Sequence, residues 1–179
     1  MIIKEHKVVF IHIPKSAGTS IESFFGNSSF VIQPGKHDNV YDIKRRFPNA
    51  YKNYRKFAII RNPYDKMVSW YFYLKRNLGE ELNTVSFSEW LIDPLKLWHA
   101  DDPISFLNPQ CDWVDETVEI IKYENLKKEI NDFFGEDVDL PVLNKSNHKH
   151  YSKYYDKISS DFVYNKYKED FKKFNYKKI

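Results

Sequence analysis

The sequence predicts an α/β domain with a mainly parallel central sheet flanked by helices. Two stretches carry this prediction. Val8–Ile13 is an apolar, β-rich run, and Lys56–Ile60 is a continuous apolar run, typical of a strand buried on both faces of a parallel sheet. Each run leads directly into a helix-start pattern. Because strands alternating with helices favour parallel pairing, the two strand ends are expected at one edge of the sheet.

The first strand–helix junction has the composition of an anion-binding loop. The loop residues are Pro14, Lys15, Ser16, Ala17, Gly18, Thr19 and Ser20. A short amphipathic helix follows and ends near Gly26. N–H groups in the first turn of a helix lack intrahelical partners, and the helix dipole favours negative charge there. Lys15 adds a positive charge, and Gly18 permits close approach of the backbone to a ligand.

The loop by itself leaves two interpretations open. It is a phosphate-type site, or it is a strand–turn–helix connection with a serine cap. The loop of nucleotide triphosphatases follows G-x-x-x-x-G-K-[ST], in which a lysine follows the glycine. Here Lys15 precedes Gly18 and no lysine follows, so that pattern fails and a second motif is needed to decide.

Arg61 stands at the second strand–helix junction. Asn62 is a natural N-cap, Pro63 is favoured at the first helical position, and Asp65 complements the helix dipole. The helix is predicted to continue to about Arg76, with this apolar face: Tyr64, Met67, Val68, Tyr71 and Leu74. Ligands of parallel sheets bind at the carboxyl ends of the strands, where Lys15 and Arg61 are both expected.

Further elements are predicted in chain order. They are a short strand within Ser28–Gln33, a helix from Asp38 or Asn39 to about Phe47, a helix over Ser86–Ile92, irregular structure over Asp93–Gln110, a strand over Val118–Lys122, a helix over Glu124–Phe134 ended by Gly135, a loop over Glu136–Tyr151, and one helix from about Ser160 to Phe174. No linker or repeat divides the chain, so one domain over residues 1–179 is expected.

The composition favours a soluble protein that binds a small anion. A net charge of +3 suits an anionic ligand but is too small for a nucleic-acid binder, so no nucleic-acid partner is expected. The lone Cys111 cannot form an intrachain disulfide or a thiolate metal site. The sequence shows neither a signal-peptide core nor a run of ~18 apolar residues, so a cytoplasmic protein without a membrane span is expected.

The two junctions together resemble the nucleotide-binding motifs of sulfotransferases. Pro14–Ser20 resembles the 5′-phosphosulfate loop. Arg61–Tyr71 resembles the 3′-phosphate motif, in which an arginine and a serine eight residues later bind the phosphate. Tyr123–Leu126 and Asn144–Ser146 resemble further blocks of the carbohydrate-type branch, sulfotransferase family 2, in the same order. The resemblance runs from about residue 8 to residue 174.

The resemblance implies a P-loop-like, three-layer α/β fold and a metal-free enzyme. The donor would be 3′-phosphoadenosine 5′-phosphosulfate (PAPS), and the product 3′,5′-adenosine bisphosphate (PAP). Sulfuryl transfer would go to an acceptor hydroxyl, expected on a carbohydrate. The implied nucleotide-binding residues are Lys15, Ser16, Ala17, Gly18, Thr19, Ser20, Arg61, Ser69, Lys145 and Ser146. Of these, Lys15 would stabilise charge on the leaving 5′-phosphate, and Arg61 and Ser69 would hold the 3′-phosphate. Lys145 and Ser146 either close over the nucleotide or form a solvated basic loop.

The general base and the acceptor site stay open. His37 resembles the catalytic histidine of some carbohydrate sulfotransferases; Glu22 is a second candidate, and an unidentified residue a third. His12 is expected to pack beneath the loop. For the acceptor, Gln110 is a candidate contact, and the tryptophans form either a sugar-stacking cleft or core: Trp90, Trp98 and Trp113.

Two other functions remain as alternatives. A non-catalytic nucleotide-binding or scaffold protein of the same fold would keep the nucleotide motifs without turnover. A kinase-like phosphotransferase is less favoured, because it requires a lysine after the glycine and an acidic Mg²⁺ ligand at a strand end.

Overall fold

The computed structural model describes residues 1–26, 31–32, 35, 37–78, 84–92, 107–143 and 147–179. In these ranges the strands are β1 (Ile2–Ile3), β2 (Val8–Ile11), β3 (Val31–Ile32), β4 (Arg55–Ile60) and β5 (Val118–Lys122). The helices are α1 (Gly18–Phe25), α2 (Val40–Arg46), α3 (Pro48–Asn53), α4 (Pro63–Leu78), α5 (Phe87–Ile92), α6 (Leu126–Phe134), α7 (Lys157–Lys166) and α8 (Lys168–Lys173). Short 3₁₀ helices cover Gln110–Trp113, Tyr123–Asn125 and Tyr151–Lys153. Trp98, Lys145, Ser146 and residues 93–106 lie outside the described residues.

The chain divides into two compact units. The first comprises Met1–Arg61 and Gln110–Asn144, and the second comprises Asn62–Pro109 and Lys145–Ile179. The sheet belongs to the first unit, and α4, α5, α7 and α8 belong to the second. The expectation of one domain over residues 1–179 stays a prediction.

In the described part of the chain, the strand order of the sheet is β3-β1-β2-β4-β5. The three longer strands are parallel, with Ile11 opposite Ala58 and Ile60 opposite Lys122. The two-residue strand β1 pairs antiparallel with β2 and β3. The α/β class and the parallel pairing of the longer strands are therefore as predicted.

Strand β2 ends two residues before the predicted end at Ile13. The N–H of Ile13 donates to the carbonyl of Ile11 at 3.1 Å, so the chain turns sharply at His12 and leaves the ladder. This turn directs the chain into the loop that precedes α1.

The core of the first unit lies on both faces of its longer strands. On one face the strands pack against α1 and α6, through Val8, Phe10, Phe57, Ile59, Ile21, Phe25, Ile130 and Phe133. The alternate strand residues Val9, Ile11, Ala58 and Ile60 are also fully buried. Apolar residues at every strand position thus indicate burial on both faces, as the run Lys56–Ile60 predicts.

Local capping explains where several helices begin and end. Asn62 accepts the N–H of Tyr64 at 2.9 Å, which confirms it as the cap of α4. Asn39 and Asp42 form a capping box at the start of α2. Gly135 adopts a left-handed conformation (φ 73°) and ends α6, as predicted.

The predicted single C-terminal helix is wrong, because it is broken at Tyr167. Tyr167 leaves helical geometry (φ −109°, ψ 25°) and separates α7 from α8. Its hydroxyl donates to the carbonyl of Leu107 at 3.0 Å and also contacts the sulfur of Met67. This buried anchorage fixes the break, which the apolar periodicity does not reveal.

No helix among the described residues is long and apolar enough to span a membrane.

Candidate anion-binding site

The loop between β2 and α1 contains two residues in an unusual backbone conformation. Lys15 (φ 65°) and Ala17 (φ 59°) both occupy the left-handed region. A non-glycine residue there costs about 1–3 kcal/mol, and such residues concentrate at ligand-binding sites. Ser16 lies between them, fully buried, and its hydroxyl has no hydrogen-bond partner among the described residues. An orphaned buried hydroxyl in this loop is consistent with a ligand that supplies its partner.

The start of α1 presents backbone amides at this loop. The N–H groups of Ser20 and Ile21 donate to the carbonyl of Ala17, at 3.0 and 3.3 Å. Gly18 and Thr19 are the first two helical residues, so their amides precede the helix's own hydrogen-bond ladder. The Ser20 amide is already bound to the Ala17 carbonyl within the loop.

The Ser20 side chain is also engaged. Its hydroxyl oxygen accepts the N–H of Leu143 at 3.4 Å, which ties the start of α1 to the segment after α6. Ser20 is only 6% exposed. Its contribution in the described structure is therefore to hold the first turn of α1.

His12 explains why residue 18 is a glycine. The His12 ring lies directly beneath Gly18, and a Cβ atom built on Gly18 would lie 1.8 Å from His12 Nε2. The prediction that His12 packs under the loop is confirmed, since it is buried there. Gly18 does not have a positive φ, so its requirement is steric and comes from His12.

Arg61 joins the second motif to the loop. Its Nη1 atom donates to the carbonyl oxygen of Lys15 at 3.1 Å. Its guanidinium carbon lies 4.2 Å from the centre of the Tyr123 ring, a cation–π contact. Arg61 is 7% exposed. The two strand ends therefore meet at one edge of the sheet, as the parallel topology predicts.

Gln110 fixes the backbone at Arg61 from both sides. Its Oε1 atom accepts the Arg61 N–H at 2.9 Å, and its Nε2 atom donates to the Arg61 carbonyl at 2.8 Å. Gln110 is fully buried, so it has no exposed surface for the acceptor contact expected from the sequence. Sequence reasoning missed this role and that of Tyr123, because both depend on contacts with a distant part of the chain.

His37 lies beside the same loop. Its Nδ1 atom is 3.2 Å from the carbonyl oxygen of His12, and the two rings are 4.6 Å apart between centroids. Trp113 contacts the His37 ring edge-on at 6.5 Å. Glu22, the second candidate base, places Oε1 2.8 Å from His12 Nδ1. The structure thus brings both candidate bases to the loop and engages Glu22 with His12.

Three further predicted residues in the described ranges are buried side chains. Ser69 is buried (5% exposed) on α4, in the second unit. Trp90 and Trp113 are buried, which supports the core interpretation over an open sugar-stacking cleft. Within the described ranges, no group of three or more His, Cys, Asp or Glu side chains is arranged to hold a metal ion.

The fold and the loop define an α/β protein with a candidate anion site at a strand–helix junction. The chain belongs to the sulfotransferase family: the family's sequence profile matches residues 1–91, just over half of its 179 residues. The matched part contains both Lys15 and Arg61, and the predicted family is confirmed. Membership supports a transferase with sulfotransfer activity in general. No curated protein and no solved structure matches the chain significantly.

Proposed function

We propose that the protein is a PAPS-dependent sulfotransferase with a P-loop-like, three-layer domain over residues 1–179. The observation that carries the proposal is the hydrogen bond from Arg61 Nη1 to the Lys15 carbonyl, which joins the two motifs. The chain that contains this contact belongs to the sulfotransferase family. Each residue belongs to one of the two motifs that resemble the nucleotide-binding motifs of the family. A ligand with two separated anionic groups, such as PAPS, fits two neighbouring cationic motifs.

The loop residues would bind the 5′ end of the nucleotide. The amides of Gly18 and Thr19 lie in the first turn of α1, where negative charge is favoured. The buried Ser16 hydroxyl would gain a partner from a phosphate or sulfate oxygen. Lys15 would stabilise the charge that develops on the leaving 5′-phosphate. When bound, PAPS supplies the sulfuryl group, and PAP is the product.

The other roles rest on the resemblance. Arg61 and Ser69 would hold the 3′-phosphate, Arg61 by a forked contact of its guanidinium. Lys145 and Ser146 would close over the nucleotide. His37 would accept the proton of the acceptor hydroxyl, which we place on a carbohydrate, and no metal is needed for this transfer.

The direct test is transfer of labelled sulfate from PAPS to a panel of glycans. We expect transfer by the wild-type chain, and a rate about 10²–10³ lower in Lys15→Ala, because a lost donor to developing charge acts mainly on turnover. Lys15→Ala should change the affinity for PAP much less than it changes the rate. Lys52→Ala, an exposed lysine on α3, is the matched control and should leave both unchanged.

Arg61 is expected to act mainly on binding. Arg61→Ala should weaken PAP binding, since it removes the guanidinium expected at the 3′-phosphate; Arg61→Lys keeps the charge but loses the fork. An unchanged PAP affinity in Arg61→Ala would contradict the 3′-phosphate assignment. Binding of PAP without transfer to any acceptor would favour a scaffold, and selective binding of ATP with Mg²⁺ would overturn the sulfotransferase proposal.

A further inference from the structure

Glu22 and His12 form a tightly placed pair at the base of the loop. Glu22 Oε1 lies 2.8 Å from His12 Nδ1, and the two side chains are 20% and 6% exposed. Glu22 lies one turn into α1 and His12 directly follows β2, so the pair links the strand end to the helix. The His12 ring also stacks on Phe10, with ring centroids 5.6 Å apart. Glu22 therefore holds the edge of the His12 ring, and Phe10 packs against its face.

The partner of each ring nitrogen fixes the position of a proton. A backbone carbonyl has no proton to donate, so the contact between His37 Nδ1 and the His12 carbonyl requires a hydrogen on Nδ1. In the neutral ring, Nε2 of His37 then carries the lone pair. By the same reasoning, an ionised Glu22 accepts a hydrogen from His12 Nδ1.

His37 depends on His12 for two of its contacts. The His12 carbonyl receives the Nδ1 hydrogen, and the His12 ring packs against the His37 ring at 4.6 Å. The sharp turn at His12 takes its carbonyl out of the sheet ladder and makes it available to His37. Because Glu22 fixes the His12 ring, loss of the Glu22 carboxylate would loosen the ring contact directly, and the carbonyl contact through movement of the His12 backbone.

We propose that Glu22 and His12 are positioning residues that hold His37 in the Nδ1–H tautomer and so present Nε2 as the proton acceptor. The inference rests on the proposed function in one respect only, namely that the proton received by Nε2 comes from the acceptor hydroxyl. In the transfer step, the acceptor O–H bond breaks and its proton moves to His37 Nε2. The acceptor oxygen forms a bond to sulfur as the bond from sulfur to the 5′-phosphate oxygen breaks, and the electron pair of that bond stays on the phosphate. This assignment makes Glu22 an orienting group and leaves proton transfer to His37.

The first experiment measures the tautomer directly, in the full-length chain without nucleotide. Two-bond ¹H–¹⁵N correlation spectra of ¹⁵N-histidine protein distinguish Nδ1–H from Nε2–H, and His37→Gln identifies the His37 signals. We expect the Nδ1–H form in the wild type. In Glu22→Ala its ratio to the Nε2–H form should fall by up to about tenfold, the limit set by complete loss of one hydrogen bond, because a loosened His12 holds the His37 Nδ1 hydrogen less firmly. Glu22→Gln retains an acceptor oxygen and should keep the wild-type tautomer.

A wild-type His37 found mainly as Nε2–H overturns the proposal, and this result does not depend on any variant folding. Ser23→Ala, an exposed neighbour of Glu22 on α1, is the matched control and should leave the spectrum unchanged. If Ser23→Ala shifts the tautomer as much as Glu22→Ala does, the effect belongs to α1 in general and the proposal is wrong.

The second experiment tests whether Glu22 acts through His37. His37→Ala should lower kcat about 10²–10⁴-fold, as for a lost general base, and Glu22→Ala about tenfold. In the His37→Ala background, Glu22→Ala should have no further effect on kcat. A further tenfold loss there would show that Glu22 acts independently. If the wild type transfers no sulfate at all, the proposed function fails, while the tautomer measurement still decides the positioning role.

Discussion

At the scale of single residues, the tightest steric requirement at the loop is the contact between Gly18 and His12. The imidazole occupies the space into which any side chain at position 18 would extend, with only 1.8 Å between a built Cβ and Nε2. The ring cannot easily withdraw, because Glu22 holds it through Nδ1. The first turn of α1 therefore packs on a buried histidine, and the His12 ring limits the size of the side chain at position 18.

We predict that Gly18→Ala lowers the free energy of unfolding by about 1–3 kcal/mol, because overpacking must displace His12 or the loop. In a His12→Ala background the same substitution should cost at least about 1 kcal/mol less, since the ring is gone. Urea denaturation of the two single variants and the double variant measures this coupling. Strictly additive losses would show that the two residues do not share space.

Gly135 provides a matched comparison for Gly18. It has a φ of 73°, and nothing lies within 4 Å of a built Cβ. Gly135→Ala should therefore cost about 1–2 kcal/mol through backbone strain alone. The loss of unfolding free energy in Gly135→Ala should be the same in the wild-type and His12→Ala backgrounds, unlike the loss in Gly18→Ala.

At the scale of secondary-structure elements, the carboxyl end of β4 is completed by a side chain. The Gln110 amide binds both the N–H and the carbonyl of Arg61, as a neighbouring strand would. Arg61 directly follows β4, and its N–H and carbonyl are thereby satisfied without another strand. The position of the guanidinium therefore depends on the 3₁₀ helix that carries Gln110.

We predict that Gln110→Ala destabilises the fold by about 2–4 kcal/mol. Both polar groups of the Arg61 backbone would lose their partner in a buried place, each at a cost of about 1–3 kcal/mol. PAP affinity should also fall, because Arg61 loses its anchorage. Denaturation and calorimetric titration of the same samples check both effects. Asn108→Ala, an exposed position nearby in sequence, is the control, and a comparable loss there would contradict the argument.

The cap of α7 should make stability depend on pH. The N–H and hydroxyl of Ser159 donate to the Asp156 carboxylate and lower its pKa below the ordinary value of 3.8. A lowered native pKa stabilises the fold above the ordinary value, and this stability is lost as the pH falls through the native pKa. Asp156→Asn keeps an acceptor at the cap but does not titrate.

We therefore expect wild-type stability to fall more steeply than that of Asp156→Asn as the pH decreases from about 5 to about 2. Urea midpoints across this range measure the difference. Glu136→Gln, which alters an exposed carboxylate of the first unit, should retain the wild-type slope. Identical slopes for the wild type and Asp156→Asn would exclude a contribution from this cap.

The elements that the sequence predicts well are those with local causes. The start of α4 follows from Asn62 and Pro63, whose side chains act on the adjacent backbone. Strand β1 could not be predicted, because its two residues are ordered by pairing with β2 and β3. The break at Tyr167 depends on a distant carbonyl, that of Leu107.

The same division holds for the candidate site. Lys15 and Arg61 could be predicted to meet, because parallel strands place their carboxyl ends at one edge. The Gln110 contact could not be predicted, since it spans 49 residues without any periodic pattern. The pairing of Glu22 with His12 had a usable signal: one residue directly follows a strand, and the other lies one turn into the next helix.

At the scale of the whole molecule, the protein has a modest net charge of +3, and at one strand–helix edge the Arg61 guanidinium lies against the Lys15 backbone. Binding of a ligand with two anionic groups should therefore depend on local geometry and less on overall attraction. A nucleotide that binds only the native state raises stability by mass action. Stability of the whole chain is thus a readout of the site.

We predict that PAP at about 100 times its Kd stabilises the native chain by about 2.7 kcal/mol and raises Tm by about 5–10 °C. ATP with Mg²⁺ at the same concentration should give a smaller shift, because it lacks a 3′-phosphate. Scanning calorimetry or a dye-based melt measures both. Equal shifts for the two nucleotides would argue against recognition of the 3′-phosphate.

The anchorage of Arg61 has a consequence for the order of events during folding. The profile match, residues 1–91, contains both motif cations, yet Gln110 and Tyr123, which fix Arg61, come later in the chain. During synthesis, β2 and β4 emerge well before either residue, so a nascent chain could pair these strands while Arg61 is still unanchored. The proposed nucleotide site should therefore be completed only after β2 and β4 have emerged, when Gln110 and Tyr123 reach Arg61.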